Sequence, residues 1–128
     1  MRDGYLALTH VQWLPKKDSI AKKTEDLIRK YNPEWTGGGY KGDIRPMLKS
    51  VKEDFDLKTF HVMNDPIEFT RDSWNGRIRA CRGIGATLPA DVIARFDTDH
   101  KKLLEQMARE NSQSFTRCQY TYLSVKDF

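Results

Sequence analysis

Apolar residues run almost without interruption near the start of the chain and then change to a helical spacing. Tyr5–Trp13 is β-prone and apolar on both faces, which predicts a buried strand that ends before Pro15. Asp18 is a suitable N-cap for the helix that follows. Its apolar stripe consists of Ile20, Thr24, Leu27, Ile28 and Tyr31. Asn32-Pro33 is predicted to end this helix.

A glycine-rich segment, EWTGGGYKGDIRP, comes next and predicts a long loop. Gly37, Gly39 and Gly42 match the spacing G-x-G-x-x-G, but they follow a helix, whereas the dinucleotide-binding turn follows a strand. We therefore reject the nucleotide interpretation. Glycine hinges flanked by Trp35 and Tyr40 leave a lid over a ligand open as a second interpretation.

The second half of the chain alternates between helical and extended patterns. The predicted elements are a short helix over residues 44–54, a strand Leu57–Met63, a helix Arg71–Arg82, a long helix from Pro89 and a closing strand Phe115–Val125. Thr70 is expected to cap the helix that starts at Arg71, and Gly83 and Gly85 are expected to end it. The pattern predicts one α/β domain over residues 1–128, with helices packed on a small mixed sheet.

The net charge of +4 is less informative than its distribution. Residues 71–82 hold four arginines and one aspartate, whereas lysines and acids are mixed elsewhere. A patch of this size suits a small anion better than a nucleic-acid backbone. No apolar run reaches the roughly 18 residues of a membrane span, and no signal peptide is visible, so a cytoplasmic protein without membrane contact is expected.

Side chains that carry chemistry are few and scattered. Cys81 and Cys118 are expected to be reduced thiols, and the three histidines have no metal-ligand spacing. His10 and Trp13 come at the end of the first strand, where α/β sheets with parallel strands place their ligands. His10 is a candidate general base there, although a structural role is the other interpretation. We therefore assign no catalytic residue and expect no metal site.

Three stretches of the chain together resemble a known family. They contain Trp13–Pro15, then Tyr31–Gly37, and then Phe69–Arg77 followed by Arg79–Ala86. This set, with the closing strand, resembles the C-terminal half of class I S-adenosylmethionine-dependent methyltransferases of the type 11 kind. The resemblance covers nearly the whole chain.

The resemblance implies part of a class I methyltransferase fold. Its three strands would lie in the order first-third-second, with the last strand central and antiparallel to both neighbours. S-adenosylmethionine is the cofactor that the resemblance implies. The glycine-rich turn and the ribose-binding acid of complete relatives do not occur in these 128 residues. We therefore expect no tight cofactor binding and no activity by this chain alone, and the methyl acceptor stays open.

The arginine-rich helix is expected to face the acceptor. The expected substrate-binding residues are His10, Trp13, Trp74, Arg77 and Arg82. Arg77 is expected to stack on Trp74, three residues earlier, while its guanidinium and that of Arg82 bind an anion. The alternative is a surface helix whose arginines pair with Asp72, Asp91 or Glu68.

Two kinds of partner and two kinds of function follow. The first strand, Tyr5–Trp13, carries no Lys, Pro or Asp, so it is expected to pair with a second copy or with a missing N-terminal half. The function is either methyl transfer to a small acceptor, completed by a cofactor-binding half, or a non-catalytic binding or assembly module.

Overall fold

A computed structural model of the chain describes residues 4–107 and 111–125. The helices are α1 (Ser19–Tyr31), α2 (Lys49–Asp54), α3 (Arg71–Arg79) and α4 (Ala90–Met107), and the strands are β1 (Tyr5–Trp13), β2 (Phe55–Thr70) and β3 (Asn111–Val125). Helices and strands alternate along the chain in the predicted order. The protein is therefore an α/β protein.

The three strands form one sheet in the order β1-β3-β2. The predicted order is confirmed, with the last strand in the centre. β3 is antiparallel to both neighbours, from Tyr5 opposite Ser124 to Trp13 opposite Thr116 on one side. The expectation that β3 is antiparallel to both neighbours is confirmed, and because both pairs in the described sheet are antiparallel, the expectation of a mixed sheet is wrong.

β2 is much longer than predicted. It runs on through Pro66 to Thr70, where the sequence indicated a connection. Proline lacks a backbone N–H and is tolerated at the edge of a sheet, where that group needs no partner strand. The register of β2 shifts between Leu57 and Thr59, which marks an irregularity near the start of the strand.

Local capping signals place the helix starts as predicted. The Asp18 carboxylate accepts hydrogen bonds from the N–H groups of Ile20 and Ala21. Thr70 and Ser73 form a reciprocal capping box at the start of α3. α3 is shorter than predicted and ends at Arg79, so Arg82 lies in the turn beyond it. α2 is also shorter, since residues 44–48 are not helical.

The hydrophobic core lies among the helices, beyond the ends of β1 and β2. α4 packs against both α1 and α3. The buried cluster consists of Trp13, Ala21, Ile28, Trp74, Ile78, Ile84, Phe96 and Leu104. Among the side chains that the structure describes, Trp13, the last residue of β1, is the only strand residue in this cluster, while Phe69 of β2 packs against it half-buried. Most side chains of β1 and β2 lie outside this core, so the expected packing of helices on the sheet is seen only near the ends of these two strands.

The sheet consequently exposes large apolar side chains on both faces. Tyr5, Val11, Met63 and Tyr122 are exposed on one face, and Leu8, Leu57 and Phe60 on the other. Tyr5 is 70% exposed and stacks on Tyr122 with ring centroids 5.2 Å apart. Within the described ranges, none of the helices is long and apolar enough to cross a membrane.

Candidate functional site

A groove of about 560 Å³ opens where the ends of both outer strands meet α3. We call it the Trp13 groove, and its lining consists of Trp13, Phe69, Arg77, Ala80, Cys81 and Arg82. The strand ends supply the aromatic residues, and α3 with the turn after it supplies the arginines and the thiol. It therefore combines an apolar wall with two cations.

Arg77 lies across the indole ring of Trp13. Its Cζ is 5.5 Å from the centre of that ring, within the range of a cation–π contact. The sequence had indicated stacking on Trp74 instead. Trp74 is buried in the core, where its ring meets Trp13 and Phe69 edge-on at centroid distances of 5.8 and 5.0 Å. Because Trp74 points inward, the ring that Arg77 covers is the one contributed by β1.

Both groove arginines are exposed, and neither has a carboxylate partner among the described residues. Arg79, between them in sequence, differs because its Nε lies 3.4 Å from Oδ1 of Asp97. Arg95 likewise pairs with Asp91 on α4. Within the described part of the chain, no carboxylate therefore neutralises Arg77 or Arg82, whereas Arg79 and Arg95 each have one.

Cys81 adds a thiol to the groove floor. It is a free, half-buried cysteine, and burial raises the pKa of its thiol. The thiol is therefore protonated at neutral pH and is a poor nucleophile. The side chain of Cys118 lies outside what the structure describes.

The Trp13 ring is hydrogen-bonded to the buried carboxylate of Glu25. Trp13 Nε1 donates a 2.7 Å hydrogen bond to Oε1 of Glu25, whose side chain is only 3% exposed. The other carboxylate oxygen accepts a 2.7 Å hydrogen bond from the N–H of Gly39 and lies 3.5 Å from Arg29. Glu25 therefore joins the end of β1, α1 and the glycine-rich loop.

The glycine-rich loop is docked on α1 at this point. A Cβ added to Gly38 would lie 2.5 Å from the Arg29 guanidinium and 2.8 Å from the Trp35 ring. Gly39 has a φ of 77°, a conformation that favours glycine. The loop is confirmed, and glycine is favoured at Gly38 by close packing and at Gly39 by the backbone conformation.

Trp74 is hydrogen-bonded to Thr24, which belongs to a second set of buried polar side chains together with His100 and Asn75. Its Nε1 donates to Thr24 Oγ1 at 3.2 Å, and the same oxygen lies 3.2 Å from Nε2 of His100. The Asn75 amide nitrogen is 3.0 Å from Nδ1 of His100. Burial lowers the pKa of His100 to about 4, so the imidazole is neutral at pH 7. With its proton on Nε2, the neutral ring satisfies both contacts.

His10 is not part of the groove. It lies three residues before Trp13 on β1, and an odd spacing places the two side chains on opposite faces of the sheet. Burial, and secondarily the charge of Arg45, lower the pKa of His10. Its Nε2 is buried without a hydrogen-bond partner among the described residues. It therefore stands apart from Trp13, Arg77 and Arg82, which share one groove.

Sequence reasoning missed Phe69 and Cys81 as groove residues. Cys81 is four residues after Arg77, and that spacing could have found it. Phe69 directly precedes the Thr70 cap, and only the unexpected length of β2 brings it there. Glu25 and His100 were also missed, since charged and polar helix residues are normally taken as exposed.

Comparisons of this chain with known proteins found no match. No family model, no curated protein and no solved structure matches this chain.

Proposed function

We propose that the Trp13 groove binds a small anionic molecule with a flat apolar body, and that the chain is the acceptor-binding part of a methyltransferase-like protein. The observation that carries the proposal is the pair of exposed guanidinium groups beside the Trp13 and Phe69 rings, without a carboxylate partner in the described part of the chain. The resemblance to methyltransferases supports the acceptor role.

The groove residues have distinct roles in this proposal. A guanidinium stacked on an indole keeps the N–H groups at its edge free. Two of these N–H groups can donate hydrogen bonds to two oxygens of one carboxylate or phosphate. Arg77 is held in this way over Trp13. Arg82 supplies the second charge, and Phe69 supplies an apolar surface for the body of the ligand.

The described residues do not fit S-adenosylmethionine. The glycine-rich turn that cradles such a cofactor connects a strand to a helix. β1 leads to α1 through residues 14–18, which contain no glycine, and β2 continues directly into α3. The glycines at 37–39 follow α1, and Gly38 packs against Arg29 and Glu25 of that helix. We therefore assign no methyl-transfer step to this chain and propose that a separate cofactor-binding half completes the reaction.

The second candidate is a non-catalytic binding or assembly module. The glycine-free strand-to-helix connections favour it. A neighbouring reading frame with a glycine-rich strand-to-helix turn would favour the methyltransferase instead. In either case we place the protein in the cytoplasm, since its two cysteines are too few for the disulfide framework of a small secreted domain.

Titration with benzoate tests the groove. We expect Arg77→Ala and Arg82→Ala each to weaken benzoate binding roughly tenfold, because each removes a charge-assisted hydrogen bond. Arg95→Ala is the matched control, since Arg95 pairs with Asp91 away from the groove, and it should leave binding unchanged.

Inorganic phosphate is the second probe. It carries at least the negative charge of benzoate but has no flat body, so weaker phosphate binding would support a role for the aromatic wall. Benzoate binding that is equal in the wild type, Arg77→Ala and Arg82→Ala would refute the proposed site.

A further inference from the structure

The two edges of the sheet differ in how they are protected. β1 forms one edge, and no described strand pairs with its outer side. Its nine residues contain no charged residue, no proline and no glycine, and its register with β3 is unbroken. An edge of this kind presents a row of free N–H and C=O groups and is a template for another strand.

β2, the opposite edge, carries the features that prevent such pairing. It contains Pro66, several charged residues, and a register irregularity at Lys58. The charged residues are Asp56, Lys58, Asp65 and Glu68. Charges, proline and irregularities at an edge all oppose strand addition. The contrast within one sheet indicates that β1 is the edge available to a partner.

A second copy of β1 is a well-matched partner for β1. A two-fold axis that makes two strands antiparallel must be normal to the sheet, so each face stays continuous across the pair. Centring the axis on Thr9 pairs all nine residues, with Tyr5 opposite Trp13 and Ala7 opposite Val11. On the other face, Leu8 lies opposite His10. Such aromatic, aliphatic and Thr–Thr pairs stabilise neighbouring strands, and no like charges meet.

The exposed side chains of β1 are consistent with pairing between two copies of this strand. Four residues along the strand are exposed on the face that carries Trp13, namely Tyr5, Ala7, Thr9 and Val11. Leu8 is exposed on the other face. Pairing would cover part of this apolar surface, which a soluble monomer rarely leaves in one patch.

We propose that two copies of this chain pair antiparallel through β1, about a two-fold axis at Thr9, to form one continuous six-stranded sheet. The strand order of the dimer is β2-β3-β1-β1-β3-β2. The proposal rests on the edge of the sheet and is independent of any ligand in the Trp13 groove.

A charge exchange at the axis tests both the partner and the register. Light scattering on the full chain should give about twice the monomer mass of 14.9 kDa at micromolar concentration. Thr9→Lys and Thr9→Glu each place two like charges at the axis, so each should weaken the dimer by roughly a hundredfold. An equimolar mixture of the two variants should restore the dimer.

Thr59→Lys is the control, because Thr59 is exposed on the same face but lies on β2, and it should leave the dimer intact. Circular dichroism of each variant checks that it folds. A monomeric wild type would overturn the proposal, as would a dimer that Thr59→Lys disrupts and Thr9→Lys does not. A mixture of Thr9→Lys and Thr9→Glu that stays monomeric would also overturn it.

Discussion

His100 shows how a single buried residue makes the stability of this fold depend on pH. Its ring is fully buried, stacks on Phe96 with centroids 5.3 Å apart, and contacts Thr24 and Asn75 through its nitrogens. A histidine in an unfolded chain has a pKa of about 6.5. Burial lowers the pKa of His100 to about 4, although the nearby Asp97 carboxylate opposes this shift. Protonation therefore favours the unfolded chain.

We predict that the free energy of unfolding falls by about 2 kcal/mol between pH 7 and pH 5. The stabilisation is fully present above pH 6.5 and is lost as the pH falls from 6.5 through 4. Urea unfolding at a series of pH values measures it. His100→Gln should remove most of this pH dependence, whereas His61→Gln, at an exposed position on β2, should retain it. An unchanged pH dependence in His100→Gln would contradict the assignment.

Asp97 does not account for the predicted loss of stability between pH 6.5 and 4. Its hydrogen bond with Lys101 is the main reason why the pKa of its carboxyl is lowered. A carboxyl with a lowered pKa loses its contribution only as the pH falls below about 4, the value in an unfolded chain. The decrease between pH 6.5 and 4 therefore reports mainly on His100, the more deeply buried imidazole, while His10, whose pKa burial also lowers, contributes in the same direction.

At the scale of elements, the Glu25 carboxylate is the point where a strand, a helix and a loop meet. It accepts hydrogen bonds from Trp13 Nε1 and from the N–H of Gly39. A glutamine can accept only one of these bonds through its single amide oxygen. The other donor would then be left without its partner.

We predict that Glu25→Gln lowers the free energy of unfolding by about 1–3 kcal/mol, the usual cost of an unsatisfied buried donor. Asp26→Asn is the matched control. Asp26 is the next residue of α1, and its ion pairs with Lys22 and Arg29 lie at the surface, so its loss should cost less than about 1 kcal/mol. Denaturant unfolding of both variants compares them, and equal losses would contradict the role of Glu25.

The elements also show which parts of the fold could be predicted. The caps at Asp18 and Thr70 were predictable, because a cap depends on residues within one turn. The extension of β2 through Pro66 was not, since only the strand's position at an edge makes a proline acceptable there. The contact of Arg77 with Trp13 was missed because their elements are far apart in sequence.

At the scale of the whole molecule, the core and the sheet are largely separate. The sequence of β1 indicated a strand buried on both faces, yet among its residues only Trp13 is fully buried. An apolar run indicates that a segment requires a partner, but it does not say whether the partner belongs to the same chain. The position of the core was therefore beyond what the pattern could predict.

We predict that the isolated chain does not bind S-adenosylmethionine with micromolar affinity. Neither strand-to-helix connection contains a glycine, so neither fits the cradle that this cofactor requires. Calorimetric titration measures this, and benzoate titrated into the same sample shows whether the Trp13 groove is intact. Micromolar binding of S-adenosylmethionine would contradict both the prediction and the need for a separate cofactor-binding half.

The unequal edges of the sheet also decide how far any assembly can grow. In the language of polymer chemistry, a unit with two reactive ends extends into a chain, whereas a unit with one reactive end couples once and stops. β1 is the reactive end of this molecule, and the charges and Pro66 of β2 cap the other. In the dimer proposed above, pairing through β1 uses the reactive end of each copy, so growth would terminate at two units instead of continuing into a fibre.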